Sequence, residues 1–317
     1  MKCFKTSLKL LKEIFRWWPY RSLMALFSIL FFQGCQKDIT IDLPTAERKL
    51  VVDGRIFTNE VPRVWLTYSF PFFQPFAGLD INNVDELAQF LALDAEVTVS
   101  DGIITDCLTL TFDTTFFPPV FYMGDSIVGE ENRTYFLTIK LQGKTYTAST
   151  YIPYAVMLDS IRWRPEGKLD SLGPCLLYFT DPPIYGNIYR LFCKRQGYTH
   201  YRPIFDPSVL DDQSFNGQKI EFPFYRPDPR NFLFFKDDTL TEGEQKERFY
   251  WKRGDSIFVR FCSIDRVSYE FIRTFEDAAN TSGNPFSNPT TVKGNISGGA
   301  VGGWIGYAAF YIWTVAQ

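Results

Sequence analysis

Cys35 is the residue whose surroundings predict the most definite chemistry. It follows the apolar run LMALFSILFF, residues 23–32, and six Lys or Arg residues but one acid precede that run. A bilayer core needs about 20 apolar residues, so this run is too short to cross it stably. A basic segment followed by a short apolar run is typical of a secretory signal peptide. We therefore predict that residues 1–34 are a signal peptide and are absent from the mature protein.

The residues next to Cys35 predict that this cysteine carries lipid. Gly34 stands directly before it, as in a bacterial lipobox, where the cysteine is diacylated and becomes the new N-terminus; Phe32 stands where the pattern usually has Leu. Two or three acyl chains, at about 0.8 kcal/mol per buried methylene, give durable anchoring. The alternative is an ordinary secreted protein whose cysteine falls near the cleavage site.

Residues 35–47 form a polar tether, and its first residues suggest a destination. Gln36, Lys37 and Asp38 resemble the short charged signal that directs lipoproteins to the outer face of the outer membrane in some Gram-negative bacteria. A charged tether without that role would look similar. The interpretation we carry forward is a protein anchored in the outer membrane and facing the cell exterior.

Residues suited to catalysis or metal binding are few. His200 is the single histidine, no GxSxG motif accompanies it, and no CxxC pair occurs, so we expect no metal, no cofactor and no catalytic histidine. Flanking tyrosines place His200 in an exposed strand or loop. Paired acids, Asp211 with Asp212 and Asp237 with Asp238, would be the basis of a hydrolase. Adjacent residues of a strand point to opposite faces, so neither pair is a natural catalytic dyad.

The charge balance excludes one class of partner. Removing residues 1–34 leaves 27 basic residues (33 − 6) and 35 acidic residues (36 − 1), a net charge of −8. Binding to nucleic acid depends on Lys and Arg neutralising phosphates. We therefore expect no nucleic-acid partner.

Alternating apolar and polar residues predict two β-sandwich domains of immunoglobulin-like or transthyretin-like type. The first domain covers residues 48–155 and the second covers 156–317. The predicted strands of the first are 50–56, 63–70, 95–102, 107–113 and two within 135–152, around Gln142-Gly143. Those of the second are 157–163, 175–181, 187–193, 256–262 and 304–315, the last read as a buried terminal strand.

The second domain also contains the one convincing helix, predicted over residues 265–279. Asp265 is its expected N-cap, and Gly283 with Pro285 ends it. Val267, Phe271, Phe275 and Ala278 recur at helical spacing, which predicts that they form the buried face.

Cys175 and Cys193 stand at the ends of CLLYFTDPPIYGNIYRLFC, two apolar strands around a Pro-Pro and Gly-Asn turn. In a regular antiparallel hairpin they would lie opposite each other, within reach of a disulfide. The alternative is two buried free thiols that act as small apolar residues. The hairpin is expected in both cases.

Three stretches rich in aromatic residues and proline suggest a binding surface. Proline interrupts strands, so these stretches belong in loops, where exposed rings would contact a glycan, a peptide or another protein. The alternative is that the rings fold back and cover the sandwiches. The rings concerned are Phe72, Phe73, Phe76, Phe116, Phe117, Phe121, Tyr122, Phe224, Tyr225 and Phe234.

Several segments together resemble the domain-of-unknown-function 4249 family. They are the lipobox, the opening strand KLVVDGRI after the tether ITIDLP, and SYEFIRTFEDAAN with GNPFSNPTTVKGNISGGAVGGWIGYAA near the C-terminus. The resemblance extends over nearly the whole mature chain. It implies an outer-membrane lipoprotein that is often encoded beside a TonB-dependent receptor, and it implies no catalytic residue.

Composition and resemblance together favour a non-enzymatic accessory or binding subunit of a TonB-dependent uptake system. The alternatives are a cell-envelope hydrolase and a structural, adhesin-like module. Convergent carboxylates in a deep cleft would favour the hydrolase, whereas a flat aromatic face would favour the binding protein.

We predict that Cys35→Ala releases the protein from the membrane, because no other segment of the mature chain is apolar enough to hold it. The measurement is the distribution of the protein between the aqueous and detergent-requiring membrane fractions. Cys107→Ala is the matched control and should stay with the membrane. A Cys35→Ala protein that still requires detergent would contradict the lipid anchor.

Overall fold

The computed structural model describes residues 48–69, 88–167, 169–204, 207–227, 241–281 and 291–317. The predicted signal peptide, the predicted lipidation site Cys35, the predicted export signal Gln36, Lys37 and Asp38, and the whole predicted tether lie outside these ranges. Within them, no helix is both long and apolar enough to cross a membrane.

The described chain is mainly β, as predicted, and its largest element is a sheet of nine strands. The strands of this large sheet are β1 (Leu50–Phe57), β2 (Arg63–Tyr68), β5 (Thr109–Phe112), β6 (Val120–Met123), β12 (Ile188–Arg195), β13 (Arg202–Pro203), β14 (Val209–Asp211), β17 (Ser256–Ser263) and β18 (Val301–Val315). Their order is β13-β12-β17-β18-β1-β2-β6-β5, and β14 also pairs with β12.

The remaining strands form smaller sheets, and two α-helices are present among the described residues. One small sheet contains β3 (Glu96–Ser100), β4 (Thr105–Cys107), β7 (Arg133–Leu141) and β8 (Lys144–Ile152); another contains β9 (Ser160–Trp163), β11 (Cys175–Thr180) and β15 (Lys219–Phe224). Strands β10 (Leu172–Gly173) and β16 (Trp251–Lys252) pair with each other, and the helices are α1 (Glu242–Phe249) and α2 (Arg266–Thr281).

The two main hydrophobic clusters lie between the large sheet and the small sheets. Trp304 packs with β7 and β8 in the first cluster, and Ile312 packs against the second, which contains β9 and β11 residues. Both are even-numbered residues of β18, so the two small sheets cover the same face of the large sheet. On the opposite face, Ile305 of β18 packs with Ile272 of α2 in a third cluster.

One sheet therefore joins strands from both predicted domains. The first half of β18 pairs in parallel with β1, from Val51–Val301 to Phe57–Tyr307, and its second half pairs antiparallel with β17. The β-rich fold is confirmed, whereas two separate sandwiches are not, because both halves are built on this common sheet.

Gly302 shows how closely β1 approaches β18. Its φ is +123°, and a Cβ built on it would lie 1.9 Å from the carbonyl oxygen of Val52. No other residue type fits such a backbone at such a contact. Glycine at this position is therefore required by the close approach of the two strands.

The strand predicted over residues 107–113 is divided between two sheets. Cys107 ends β4 in the small sheet, and Thr109 begins β5 in the large sheet. Leu108 between them is buried, and its N–H donates to the carbonyl oxygen of Val97 (2.9 Å). The alternation of residues continues through this crossing, which is why the sequence pattern did not reveal it.

Helix α2 confirms the predicted helix and its cap, but the predicted buried face is right only in part, since Phe271 packs against the third cluster. The N–H of Ser268 donates to the Asp265 carboxylate (2.8 Å), the expected capping bond. Val267 and Phe275 are half exposed, whereas Ser268 and Ile272 are buried. The side of the helix that carries Ser268 and Ile272 is the most buried, because this side packs against the large sheet.

Helix α1 was not predicted, because its residues carry no apolar stripe. A signal did exist: Thr241 and Glu244 form a capping box. The Glu244 N–H donates to Oγ1 of Thr241 (3.4 Å), and the Thr241 N–H donates to the Glu244 carboxylate (2.8 Å).

The expected hairpin of residues 175–193 is wrong, and no disulfide closes it. Cys175 of β11 lies opposite Phe224 and Trp163 in a small sheet, while Cys193 of β12 lies opposite Val259 in the large sheet. Both thiols are free and buried in the second cluster. The two strands pack face to face, because each belongs to a different layer of the sandwich.

We predict that one thiol of the native mature protein reacts rapidly with a thiol reagent, and that four react in denaturant without reductant. Cys107 is exposed, whereas burial raises the pKa of Cys175 and of Cys262 to about 12 and raises that of Cys193 as well. A thiol with a raised pKa forms little reactive thiolate.

The measurement is the number of modified thiols by intact mass. Cys107→Ser is the control and should abolish the rapid reaction. Two rather than four reactive thiols after unfolding would reveal a disulfide.

Candidate functional site

The face of the large sheet opposite the small sheets carries a continuous set of aromatic rings where α2 does not cover it. We call this set the aromatic face. Its rings come from β2, β6, β17 and β18 and from the loops before β6 and β13. They belong to Trp65, Phe116, Phe121, His200, Tyr201, Phe258, Tyr311 and Trp313.

One end of the aromatic face is the Phe116 recess. The Phe116 ring centroid lies 5.5 Å from that of Trp65 and 5.3 Å from that of Phe121. An open recess of about 410 Å³ adjoins this cluster, and its wall includes Arg63, Phe116, Phe121 and Asp113. Arg63 is paired with Glu60, outside the recess wall, at 3.1 Å.

Asp113 provides the carboxylate of this recess. Its Oδ1 accepts hydrogen bonds from the N–H and the hydroxyl of Thr115, at 2.8 and 2.7 Å. These bonds favour the ionised form and lower the pKa of Asp113 below its usual value. No basic group lies within 4 Å of it in the described part of the chain, although Arg63, farther away in the same wall and paired with Glu60, also lowers its pKa.

His200 is a packed ring in this site. Its imidazole stacks on Phe116, with the ring centroids 4.1 Å apart. Burial lowers its pKa below the usual histidine value, so the ring is neutral at pH 7. Its Nε2 is buried without a hydrogen-bond partner among the described residues, while the ring is hydrogen-bonded to the backbone of Thr115.

Arg260 holds the middle of the aromatic face together. Its guanidinium carbon lies 3.9, 4.7 and 4.9 Å from the ring centroids of Phe57, Phe192 and Tyr201. The side chain is 11% exposed, and it approaches the Glu60 carboxylate to 3.6 Å. A cation enclosed by three rings is favourable because each ring presents its negative face to the charge.

The other end of the aromatic face is exposed. Trp313 is 64% exposed and stacks on Phe258, while Tyr311 is 44% exposed and donates its hydroxyl hydrogen to Glu60 (3.0 Å). Lys194 lies beside them, 4.8 Å from the Tyr201 ring centroid. These rings therefore lie at the surface in contact with one another, with Glu60 and with Lys194.

The buried carboxylates serve the backbone instead of converging in a cleft. Asp106 accepts N–H bonds from the three residues 125–127, at 2.9–3.0 Å. Asp212 accepts those of residues 186 and 187, and Asp181 accepts that of Gly217. Asp211 lies 3.7 Å from Arg266, away from the Asp212 bonds, so this pair is divided as the strand geometry predicted. Among the described residues no group of three metal-ligating side chains forms.

The predicted contact residues are only partly brought together. Phe116 and Phe121 lie side by side in the recess, and the adjoining Phe117 is 65% exposed. Tyr122 points to the opposite face, where its buried hydroxyl donates to the carbonyl oxygen of Ala92 (2.9 Å). The prediction that Tyr122 contacts a ligand or partner is therefore wrong. Tyr122 and Phe121 are neighbours in one strand, so their side chains point to opposite faces of the sheet.

The third aromatic stretch does not reach this site. Phe224 is buried against Trp251 in the second cluster, and Tyr225 stacks on Phe249 of α1. Phe72, Phe73, Phe76 and Phe234 lie outside the described residues, as do Asp237 and Asp238.

Sequence reasoning missed the exposed end of the aromatic face. Tyr311 and Trp313 stand two residues apart in β18, which places both on one side of the strand. The signal was present, but the whole strand was interpreted as buried. Only its first half is buried, because the second half extends past the cover of α2.

The fold and site define a mainly β protein of several sheets with a set of aromatic rings on one face of the largest sheet. Residues 36–310 match the family described as domain of unknown function, DUF4249. The match covers well over half of the 317 residues, and the chain belongs to this family. No curated protein shows significant similarity to it.

We predict that Arg260→Met lowers the free energy of unfolding by about 2 kcal/mol, since the change removes a desolvated cation from three aromatic contacts. The measurement is urea unfolding of the purified protein. The matched control is Arg164→Met, whose exposed ion pair with Glu221 (3.3 Å) should contribute less than about 0.5 kcal/mol. Equal losses in both variants would show that the ring contacts of Arg260 do not stabilise the fold.

Proposed function

We propose that the protein is an outer-membrane lipoprotein that faces the cell exterior and serves as a non-enzymatic binding or accessory subunit of a TonB-dependent uptake system. Cys35, carrying acyl chains such as palmitate, is the anchor in this proposal. The signal peptide and lipobox support the anchor, and the family resemblance supports the association with a TonB-dependent receptor.

The aromatic face is the observation that carries the binding role. Its rings contact one another, and Arg260 joins one of them, Tyr201, to the buried rings of Phe57 and Phe192, so little conformational entropy is lost when a partner docks. Large amphipathic rings are also the side chains that contribute most to protein interfaces. The two sandwich halves, which we interpret as immunoglobulin-like or transthyretin-like, give this surface a rigid support.

The arrangement of carboxylates supports binding over hydrolysis. A hydrolase with paired acids needs two carboxyl groups that approach one substrate atom from a shared cleft. Asp106, Asp181 and Asp212 are instead bonded to loop N–H groups, and their positions are structural.

We predict that replacing both Lys37 and Asp38 with Ala leaves the protein lipidated but removes it from the cell surface. The matched control is the charge-conserving pair Lys37→Arg with Asp38→Glu, which should remain exposed. Proteolysis of intact cells measures exposure, and detergent partitioning measures the lipid. Unchanged proteolysis of the Ala variant would show that these residues are only a tether.

Co-purification tests the partner. The outer membrane is solubilised in mild detergent, the protein is captured, and the bound proteins are quantified against a Cys35→Ala strain. We expect a TonB-dependent receptor in near-stoichiometric amount. Recovery of the protein without such a receptor would contradict the accessory role.

A further inference from the structure

Strand β5 is the free edge of the large sheet in the described part of the chain. The Asp113 N–H donates to the carbonyl oxygen of Pro119 (2.8 Å), and residues 109–112 continue this antiparallel register with β6. Hydrogen-bonded pairs alternate in such a ladder. Thr109 and Thr111 therefore bond to β6, while the N–H and C=O groups of Leu110 and Phe112 point away from it.

Strand β5 is short, at four residues, but it carries no Lys or Pro that would oppose pairing. Natural edge strands are shortened, covered, or given Lys or Pro residues. The residues of β5 read TLTF, and the side chains of Leu110 and Phe112 are 47% and 69% exposed. An unpaired, uncharged edge is complementary to an extended polypeptide, whose backbone offers donors and acceptors at the same spacing.

The Phe116 recess adds a charge requirement to this edge. Thr111, Asp113 and Phe116 all line the recess, and Asp113 brings a carboxylate that no described cation neutralises within 4 Å. The wall also includes Phe112, Phe121, Thr114, Met123 and Arg63, and the Arg63 guanidinium is paired with Glu60 at 3.1 Å. A basic side chain would meet a negative charge and the negative faces of aromatic rings.

We propose that β5 binds an extended segment of a partner polypeptide that reads apolar–basic–apolar. The apolar residues pair with Leu110 and Phe112 through backbone hydrogen bonds. The basic residue lies opposite Thr111 and, because side chains alternate, points to the other face, where the recess receives it.

A second copy of this chain is a poorer occupant than such a partner. Two β5 strands could pair, but residues 109–115, TLTFDTT, contain no Lys or Arg to neutralise Asp113. The net charge of −8 beyond the signal peptide (27 − 35) also disfavours association of two identical chains and favours a partner with basic residues. This inference rests on the proposed binding role and names the chemistry of the partner.

The test is titration of the purified protein with the peptide Thr-Val-Lys-Val-Thr-amide, labelled with fluorescein at its N-terminus and read by fluorescence anisotropy. We expect saturable binding. The peptide with Glu in place of Lys should bind at least tenfold more weakly, and so should the peptide with both Val nitrogens methylated. Equal binding of the Glu peptide would overturn the role of the recess, and equal binding of the methylated peptide would overturn strand pairing.

Three protein variants separate strand pairing from folding. Leu110→Pro removes an outward N–H without removing a bond to β6, and it should weaken the Lys peptide at least tenfold relative to Leu110→Ala. Asp113→Asn should weaken binding of the Lys peptide at least tenfold. Binding of a peptide with norleucine in place of Lys should be unchanged. Urea midpoints within error of the parent show that each variant is folded. A concentration-dependent dimer that Leu110→Pro abolishes would assign the edge to a second copy and overturn the proposal.

These results are distinguishable from failure of the proposed function. If a TonB-dependent receptor co-purifies equally with Leu110→Pro and parent proteins, the accessory role stands and the β5 edge is not its contact. If the peptide binds with the expected preferences but no receptor co-purifies, the edge serves another polypeptide, and the accessory role is wrong.

Discussion

The hydrogen-bonded pairing of β1 with β18 is the constraint on which the rest of the structure depends. It joins Val51 to Val301 and Phe57 to Tyr307, so the first and last described strands lie side by side. Because β18 continues past β1 to pair with β17, a single strand connects both halves of the large sheet. Contacts between residues so far apart in sequence form late and slowly, so we expect the complete C-terminus to be needed before the core closes.

The two strands can approach each other closely because glycine occupies positions where a Cβ atom would clash. A Cβ on Gly54 would lie 2.6 Å from the Trp304 ring. The absence of that atom lets Trp304 lie against β1, fully buried, with its indole N–H donating to the carbonyl oxygen of Tyr135 (3.0 Å). The same residue therefore connects the large sheet to the small sheet behind it.

The aromatic face follows from the same architecture. Strand β18 carries Tyr311 and Trp313 outward, and the cage of Arg260 draws its rings from β1, β12 and the segment before β13. Rings from distant segments are thus held at fixed positions by a charge between them. Such a surface suits recognition, in which the geometry must exist before the partner arrives.

The sequence by itself predicted the elements that are fixed by interactions between residues close together in the chain. The hairpin of β7 and β8 was predicted because Gln142 and Gly143, both with positive φ, form its turn, and α2 was predicted because Asp265 caps it. The lipobox likewise predicts a modification within a few residues. Alternation with a period of two also identified nearly every long strand, since it depends only on which residues face inwards.

Tertiary structure alone decided which strands are neighbours. Cys175 and Cys193 lie in strands with apolar residues on both faces, and nothing in that pattern states whether the two strands pair or pack face to face. The change of sheet at Leu108 and the exposure of Trp313 could not be predicted either, because the alternation of residues does not state which element lies beside a strand or covers it. The pleat of a strand is a property of its own residues, whereas its partner, its layer and the cover over its ends are chosen by the packing of the whole core.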